Sequence, residues 1–116
     1  MEVFRLCRKK HAEELSGTGA SLGGARWNSQ GVKLIYTAAN RSLAIAEVAV
    51  HLTLATMPDD FQMMTVFIPS GVSVTSVGDK DVPEHWNAFP YTTATQVIGD
   101  RFVRENTFCL IRVPSA

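Results

Sequence analysis

The chain has 116 residues, the size of one ordinary domain and long enough to build a core without staples. Hydrophobic residues make up 46 % and charged residues 19 %, which excludes a disordered chain. The 11 Lys and Arg balance the 11 Asp and Glu, which argues against a protein that grips nucleic acid by bulk charge. Cys7 and Cys109 stand far apart with no CxxC and no Cys/His cluster, so two buried thiols in a reducing compartment are expected. Residues Met1 to Arg5 lack the basic-then-apolar layout of a signal peptide. The apolar run from Leu43 to Met57 falls short of the roughly 20 residues of a membrane span, and Glu47 and His51 interrupt it. A soluble cytoplasmic protein, with no membrane contact, is expected.

Val3 to Cys7 alternates Val3, Arg5 and Cys7 against Phe4 and Leu6, the period of a short strand. His11 to Leu15 suits one helical turn. Ser16 to Gly31 is punctuated by Gly17, Gly19, Gly23, Gly24 and Gly31 and reads as a shaped loop. Val32 to Thr37 returns to strand character, with Val32, Leu34 and Tyr36 on one face. Asn40 or Ser42 can cap a helix running from about Leu43 to Thr56. That helix is apolar on nearly every side, so burial over most of its circumference is expected. No Lys or Arg occurs between Arg41 and Lys80, which marks this middle stretch as the buried part of the fold. Gln62 to Pro69 and Val72 to Val77 read as two strands joined by a Pro69-Ser70-Gly71 turn. Asp79 to Tyr91 reads as a loop carrying Pro83, Trp86 and Pro90. Thr93 to Val103 holds a short helix, and Thr107 to Val113 closes with a strand. The expected fold class is α+β, a single domain over 1–116 with more strand than helix, its mixed sheet packed on a buried central helix.

Three features carry chemistry. Glu47 and His51 are the ionisable residues between Ser42 and Pro58, and their i,i+4 spacing puts them on one face. A carboxylate on a buried helix is costly unless paired or useful, so the two readings are a structural Glu–His pair or a carboxylate at the bottom of a cleft. The spacing is not HExxH, and only His11 and His85 remain as further imidazoles, so zinc is the weakest reading. The second feature is Gly23-Gly24-Ala25-Arg26-Trp27-Asn28. A guanidinium after two glycines can approach an anion closely and hold it in a fork, and Trp27 either stacks on a flat ring or plugs the core. No GK[ST] follows, so this is not a P-loop, and no GxGxxG stands between a strand and a helix. The third is Tyr36, either core packing or, facing a cleft, a platform for an aromatic ligand. Ser70 and Ser115 lack His and Asp partners for hydrolase chemistry, Asp59-Asp60 reads as a solvated turn, and Trp86 as a core anchor.

Taken in order, these pieces resemble a RES domain. The likeness runs through Leu15-Ser16-Gly17, Gly23 to Ser29, Gly31 and Ile35-Tyr36-Thr37. It continues through Ser42 to Val48, His51-Leu52, Ile68-Pro69 and Pro83-Glu84-His85-Trp86, then Thr95-Gln96-Val97-Ile98-Gly99-Asp100 and Val113 to Ala116. RES domains are named for an Arg, a Glu and a Ser, which match Arg26, Glu47 and Ser115, with Tyr36 as a fourth position. The resemblance implies an ADP-ribosyltransferase-like fold and the toxin half of a bacterial toxin–antitoxin pair, with an Xre-type helix-turn-helix antitoxin. It implies NAD⁺ as substrate rather than cofactor, cleaved by phosphorolysis with inorganic phosphate, by hydrolysis, or with transfer of ADP-ribose to a protein. Glu47, Arg26 and Tyr36 would then be catalytic. Arg26, Tyr36, Trp27, Asn28 and Ser115 would line the NAD⁺ site. No metal is implied, because nicotinamide leaves as a neutral ring. DNA contact would fall to the antitoxin, and homodimerisation is compatible with the sequence but not legible in it. Family members usually carry an Asn- and Pro-containing tail after the Val-Pro-Ser-Ala string. Its absence from this sequence raises a further expectation, a shortened relative that binds the antitoxin without catalysis.

Overall fold

In a computed structural model, residues 1–11, 14–49, 59–88 and 90–115 are described. They form a mixed α/β structure that divides into two compact units, Met1–Leu15 with Tyr36–Ser70, and Ser16–Ile35 with Gly71–Ala116. No helix among the described residues is long and apolar enough to cross a membrane.

In the first unit, β1 (Glu2–Arg8) pairs antiparallel with β2 (Phe61–Phe67), in a register from Glu2 opposite Phe67 to Arg8 opposite Phe61. The alternation of β1 sends Phe4 inward, where it packs with Ala38 and Ala44 and is flanked by Leu6, Leu43 and Met63. The main chain of Phe4 is spent on Ala38: its N–H donates to the Ala38 carbonyl at 2.8 Å, and the Ala38 N–H returns the bond at 2.7 Å. The Arg41 guanidinium lies 4.5 Å over the Phe4 ring. At the far end of the ladder, Arg8 Nε and Nη2 donate to the two Asp60 carboxylate oxygens at 3.1 to 3.2 Å, and the Lys9 N–H donates to the Asp60 carbonyl at 2.8 Å. Asp60 is therefore not a merely solvated turn residue. The Arg8 hydrogen bonds hold its carboxyl below the usual carboxylate range. Helix α2 (Arg41–Ala49) is capped by Asn40, whose Oδ1 accepts the Leu43 N–H at 2.8 Å.

The second unit holds a βαβ arrangement. The strands β3 (Val74–Ser76) and β4 (Leu110–Arg112) pair in parallel, Thr75 opposite Ile111. Parallel neighbours need a crossover, and the chain between them contains α3 (Thr93–Glu105). Thr92 caps α3 by accepting the Ala94 N–H, and Asn106 ends it in the left-handed region with φ of 50°. A short helix α1 (Thr18–Gly23) precedes a tight turn over residues 25–28.

Several expectations are corrected. Helix outweighs strand among the described residues. Ala44 alone is buried among the described residues of the lysine- and arginine-free stretch, and in α2 the side chains of Ile45 and Glu47 are exposed. The central helix is thus mostly exposed over its described part, Arg41–Ala49, since runs of Ala reflect helix propensity as well as burial. The part of it placed beyond Ala49, His51 included, lies outside the described residues. The segment after Ser16 contains α1 rather than loop alone, and a 3-10 turn falls on Lys9–His11. The turn expected over His11 to Leu15 lies partly outside the described residues; within them, the Glu14 N–H donates to the His11 carbonyl at 3.2 Å. Val32 to Thr37 forms no strand, because the chain passes from one unit to the other at Ile35 and Tyr36; only Ala38 bridges to β1. The two strands expected to be joined by Pro69-Ser70-Gly71 belong to different sheets, because that turn marks the second passage between units. Cys7 is buried, but Cys109 is exposed.

Candidate functional site

The glycine-rich segment resolves into one hard corner. The Ala25 N–H donates to the Asn28 carbonyl at 2.9 Å and the Asn28 N–H returns to Ala25 at 3.4 Å, so Arg26 and Trp27 occupy the two tip positions of a tight turn. The approach to this turn requires Gly24. Its φ is 76°, and a Cβ there would stand 3.0 Å from the Asn28 carbonyl oxygen and the Gln30 nitrogen.

The turn is tied from two sides. From the α1 side, the wholly buried Asn28 side chain donates through Nδ2 to the carbonyls of Ala20 at 3.0 Å and Val32 at 2.9 Å. From the α3 side, Gln96 Nε2 donates to the carbonyls of Ala25 and Asn28, both at 3.0 Å, and the Thr95 hydroxyl donates to the Arg26 carbonyl. Asp100 accepts the Ser29 N–H at 2.9 Å and the Ser29 hydroxyl at 2.6 Å, one on each carboxylate oxygen. Gly99 lets the helix backbone meet the Trp27 carbonyl directly; a Cβ there would overlap that oxygen and lie 2.7 Å from the Trp27 carbonyl carbon.

The corner also sets where Arg26 goes. Its half-buried guanidinium donates through Nη1 to the carbonyls of Trp86 at 2.7 Å and Ala88 at 3.1 Å. These carbonyls belong to a segment of consecutive turns around His85, itself at φ 61°. Trp27 is only 5 % exposed and packs its ring 6.2 Å from that of Trp86, tilted by 37°. Of the two readings of Trp27, core plug is the one observed; Trp86, expected as a core anchor, is partly buried and packs on Trp27.

The expected site residues fall into both units. Arg26, Trp27 and Asn28 share the turn, and Ser115 lies exposed after β4 in the same unit. Tyr36, half-buried, and Glu47, exposed on α2, belong to the other. The expectation of a desolvated Glu47 is corrected, because the described face of α2 that carries it is open to solvent. Its pairing with His51 lies outside the described residues. Trp27 and Asn28, expected to line the NAD⁺ site, spend their side chains on packing and on backbone carbonyls. They build the corner that carries Arg26. Among the described residues, no three His, Cys, Asp or Glu side chains cluster to hold a metal ion.

Sequence reasoning gave no role to Thr95, Gln96, Gly99 and Asp100. A signal was present, since a glycine inside a helix costs about 1 kcal/mol against alanine and marks close approach by something else. The i, i+1, i+4, i+5 spacing then puts all four residues on one face.

The fold and this corner define a small α/β protein built around an arginine on a clamped turn. The RES domain family model matches residues 2–116. A protein named Toxin Res from Photorhabdus laumondii subsp. laumondii is 35 % identical over 100 % of this chain and 74 % of its own length. A Sphingobium protein named Prs ADP-ribosylating toxin is 32 % identical over 93 % of this chain and 68 % of its own. A Toxin Res of Pseudomonas putida is 33 % identical over 89 % and 70 %. The chain belongs to the RES domain family, represented among these relatives by toxins.

Proposed function

We propose that this chain is the toxin of a bacterial toxin–antitoxin pair and that it depletes NAD⁺ by cleaving the nicotinamide–ribose bond. The observation that carries the reading is the clamped corner, which holds a guanidinium on a backbone of fixed shape, as recognition of a pyrophosphate requires. The ADP-ribosyltransferase-like core that the resemblance implies is part of the same proposal.

Cleavage of the N-glycosidic bond builds positive charge on the ribose, as in glycoside hydrolysis. The bond's electron pair leaves with nicotinamide, which departs as a neutral ring. A phosphate oxygen bonds to the ribose carbon and gives ADP-ribose phosphate. With water as acceptor, the products are ADP-ribose and a proton. In this reading, the Glu47 carboxylate stabilises the developing charge or holds the ribose hydroxyls. Arg26 holds the pyrophosphate, Tyr36 stacks on nicotinamide or the adjoining ribose, and Ser115 donates a hydrogen bond at the nicotinamide end. Trp27 and Asn28 act from behind, through the shape of the turn. NAD⁺ is the substrate, no separate cofactor enters, and an Xre-type antitoxin silences the toxin by covering the site.

The name of the Sphingobium relative favours a second reading, transfer of ADP-ribose to a protein. The bond broken is the same, and only the acceptor changes. The test is incubation with NAD⁺, with and without inorganic phosphate, following nicotinamide release and product mass. Glu47→Gln serves as control, and its exposure lets the fold survive. Phosphate-dependent release that is lost in Glu47→Gln is expected. Release that requires a protein acceptor, with matching mass gain on that acceptor, would move the assignment to the second reading. Release undiminished in Glu47→Gln would remove that residue from the chemistry.

A further inference from the structure

We propose that Asp100, supported by Gln96 and Thr95, is a positioning residue that presets Arg26 for its ligand. The inference rests on the reading above, in which Arg26 holds the substrate pyrophosphate. One face of α3 meets the main chain of the turn residue by residue. Gln96 takes the carbonyls of Ala25 and Asn28, Thr95 that of Arg26, Gly99 makes room for that of Trp27, and Asp100 takes the N–H of Ser29. The most buried positions of α3 are Thr95 and Gly99, not its large apolar residues, so this face is shaped for backbone rather than for side-chain packing.

Asp100 closes the clamp with the strongest chemistry in it. Both carboxylate oxygens accept from one residue, Ser29, through its amide and its hydroxyl, and hydrogen bonds to an ionised acceptor are the stronger kind. Arg26 lies in the turn that ends one residue before Ser29. Fixing both ends of the turn removes main-chain freedom that an anionic ligand would otherwise have to freeze on binding. A site built this way loses affinity when its support slackens, even though the supporting side chain does not touch the ligand.

The test compares Asp100→Ala, Asp100→Asn and Ser29→Ala in the full chain. Asp100→Ala should raise KM for NAD⁺ roughly 10- to 100-fold with a smaller change in kcat. Asp100→Asn should recover most of this, because its Oδ1 still accepts the Ser29 N–H and its amide can donate to the Ser29 hydroxyl oxygen. Ser29→Ala, which keeps the amide bond, should shift KM in the same direction by less; it serves if Asp100→Ala does not fold. A residue acting through Arg26 must also be non-additive with it, so Asp100→Ala should add little to the KM of Arg26→Ala, where an independent structural defect would multiply. Amide exchange over residues 26–29 should accelerate in Asp100→Ala whether or not NAD⁺ is the substrate. If wild-type protein releases no nicotinamide, the functional reading fails and exchange alone judges the clamp. Unchanged KM in Asp100→Ala, full additivity with Arg26→Ala, or unchanged exchange over 26–29 would each overturn the proposal.

Discussion

The two units of this chain reach order by different physics. Around Phe4, order comes from apolar contact: a ring between Ala38 and Ala44, with a guanidinium on its face. Around Arg26 it comes from polar contact, with the main chain of the turn held by Asn28, Thr95, Gln96 and Asp100. Apolar contact is forgiving of shape and tolerates volume-conserving exchange. A hydrogen-bonded corner tolerates little, because every buried carbonyl that loses its donor bears the cost of desolvation. The unit with Arg26 uses the stricter device.

The sharpest way to break this contrast is Gly99→Ala. The added methyl meets main chain, so no rotamer relieves it, and the turn must move. Alanine should gain about 1 kcal/mol in helix propensity, yet the overlap should make the variant less stable by about 4 kcal/mol or more. Thermal unfolding gives the size, and accelerated amide exchange at 26–29 gives the location. A variant as stable as wild type would show that α3 does not press on the Trp27 carbonyl. On the other side of the comparison, Phe4→Ala should cost about 3 kcal/mol through the lost burial and the cavity left behind. Phe4→Leu keeps most of the volume and should cost less than about 1.5 kcal/mol. The forgiving character of the apolar unit predicts this gap between the two Phe4 variants, and denaturant midpoints would measure it. Equal losses in both would assign the stability to the Arg41 guanidinium over the ring instead.

The difference between the units also explains what could be read in advance. Period-2 alternation identified β1 because Phe4 faces the core, and local cap chemistry, Asn40 or Ser42, located the start of α2 to within two residues, with Asn40 the cap observed. The helix expected within Thr93 to Val103 is α3, Thr93–Glu105. The burial of α2 was not legible, since alanine satisfies helix propensity and burial alike, and Glu47 proved exposed. The strand expected at Val32 to Thr37 failed because its residues divide between units, a matter of tertiary partners that no local pattern encodes. The constrained backbone around Arg26 was legible from its glycines. The clamp was not, because its bonds span about seventy positions of sequence, as from Ser29 to Asp100, |i−j| 71. The glycine inside α3 was the visible trace of it.

The smallest expected effect lies at the edge of the apolar unit, where polar contact returns in exposed form. Arg8 hydrogen-bonds the Asp60 carboxylate and lowers its pKa from the ordinary 3.8. A carboxyl with a lowered folded-state pKa adds stability above its unfolded value and loses it as pH falls through the folded value. The contribution of Asp60 should therefore be complete at neutral pH, decline below about pH 4 and vanish in stronger acid. Asp60→Asn should lower the thermal midpoint slightly at pH 7 and not at all at pH 2. Both side chains are more than a third exposed, at 43 % for Arg8 and 36 % for Asp60, so salt should shrink the neutral-pH gap as screening weakens the pair. A gap that persists unchanged in acid would mean that the Asp60 side chain contributes by some means other than its charge.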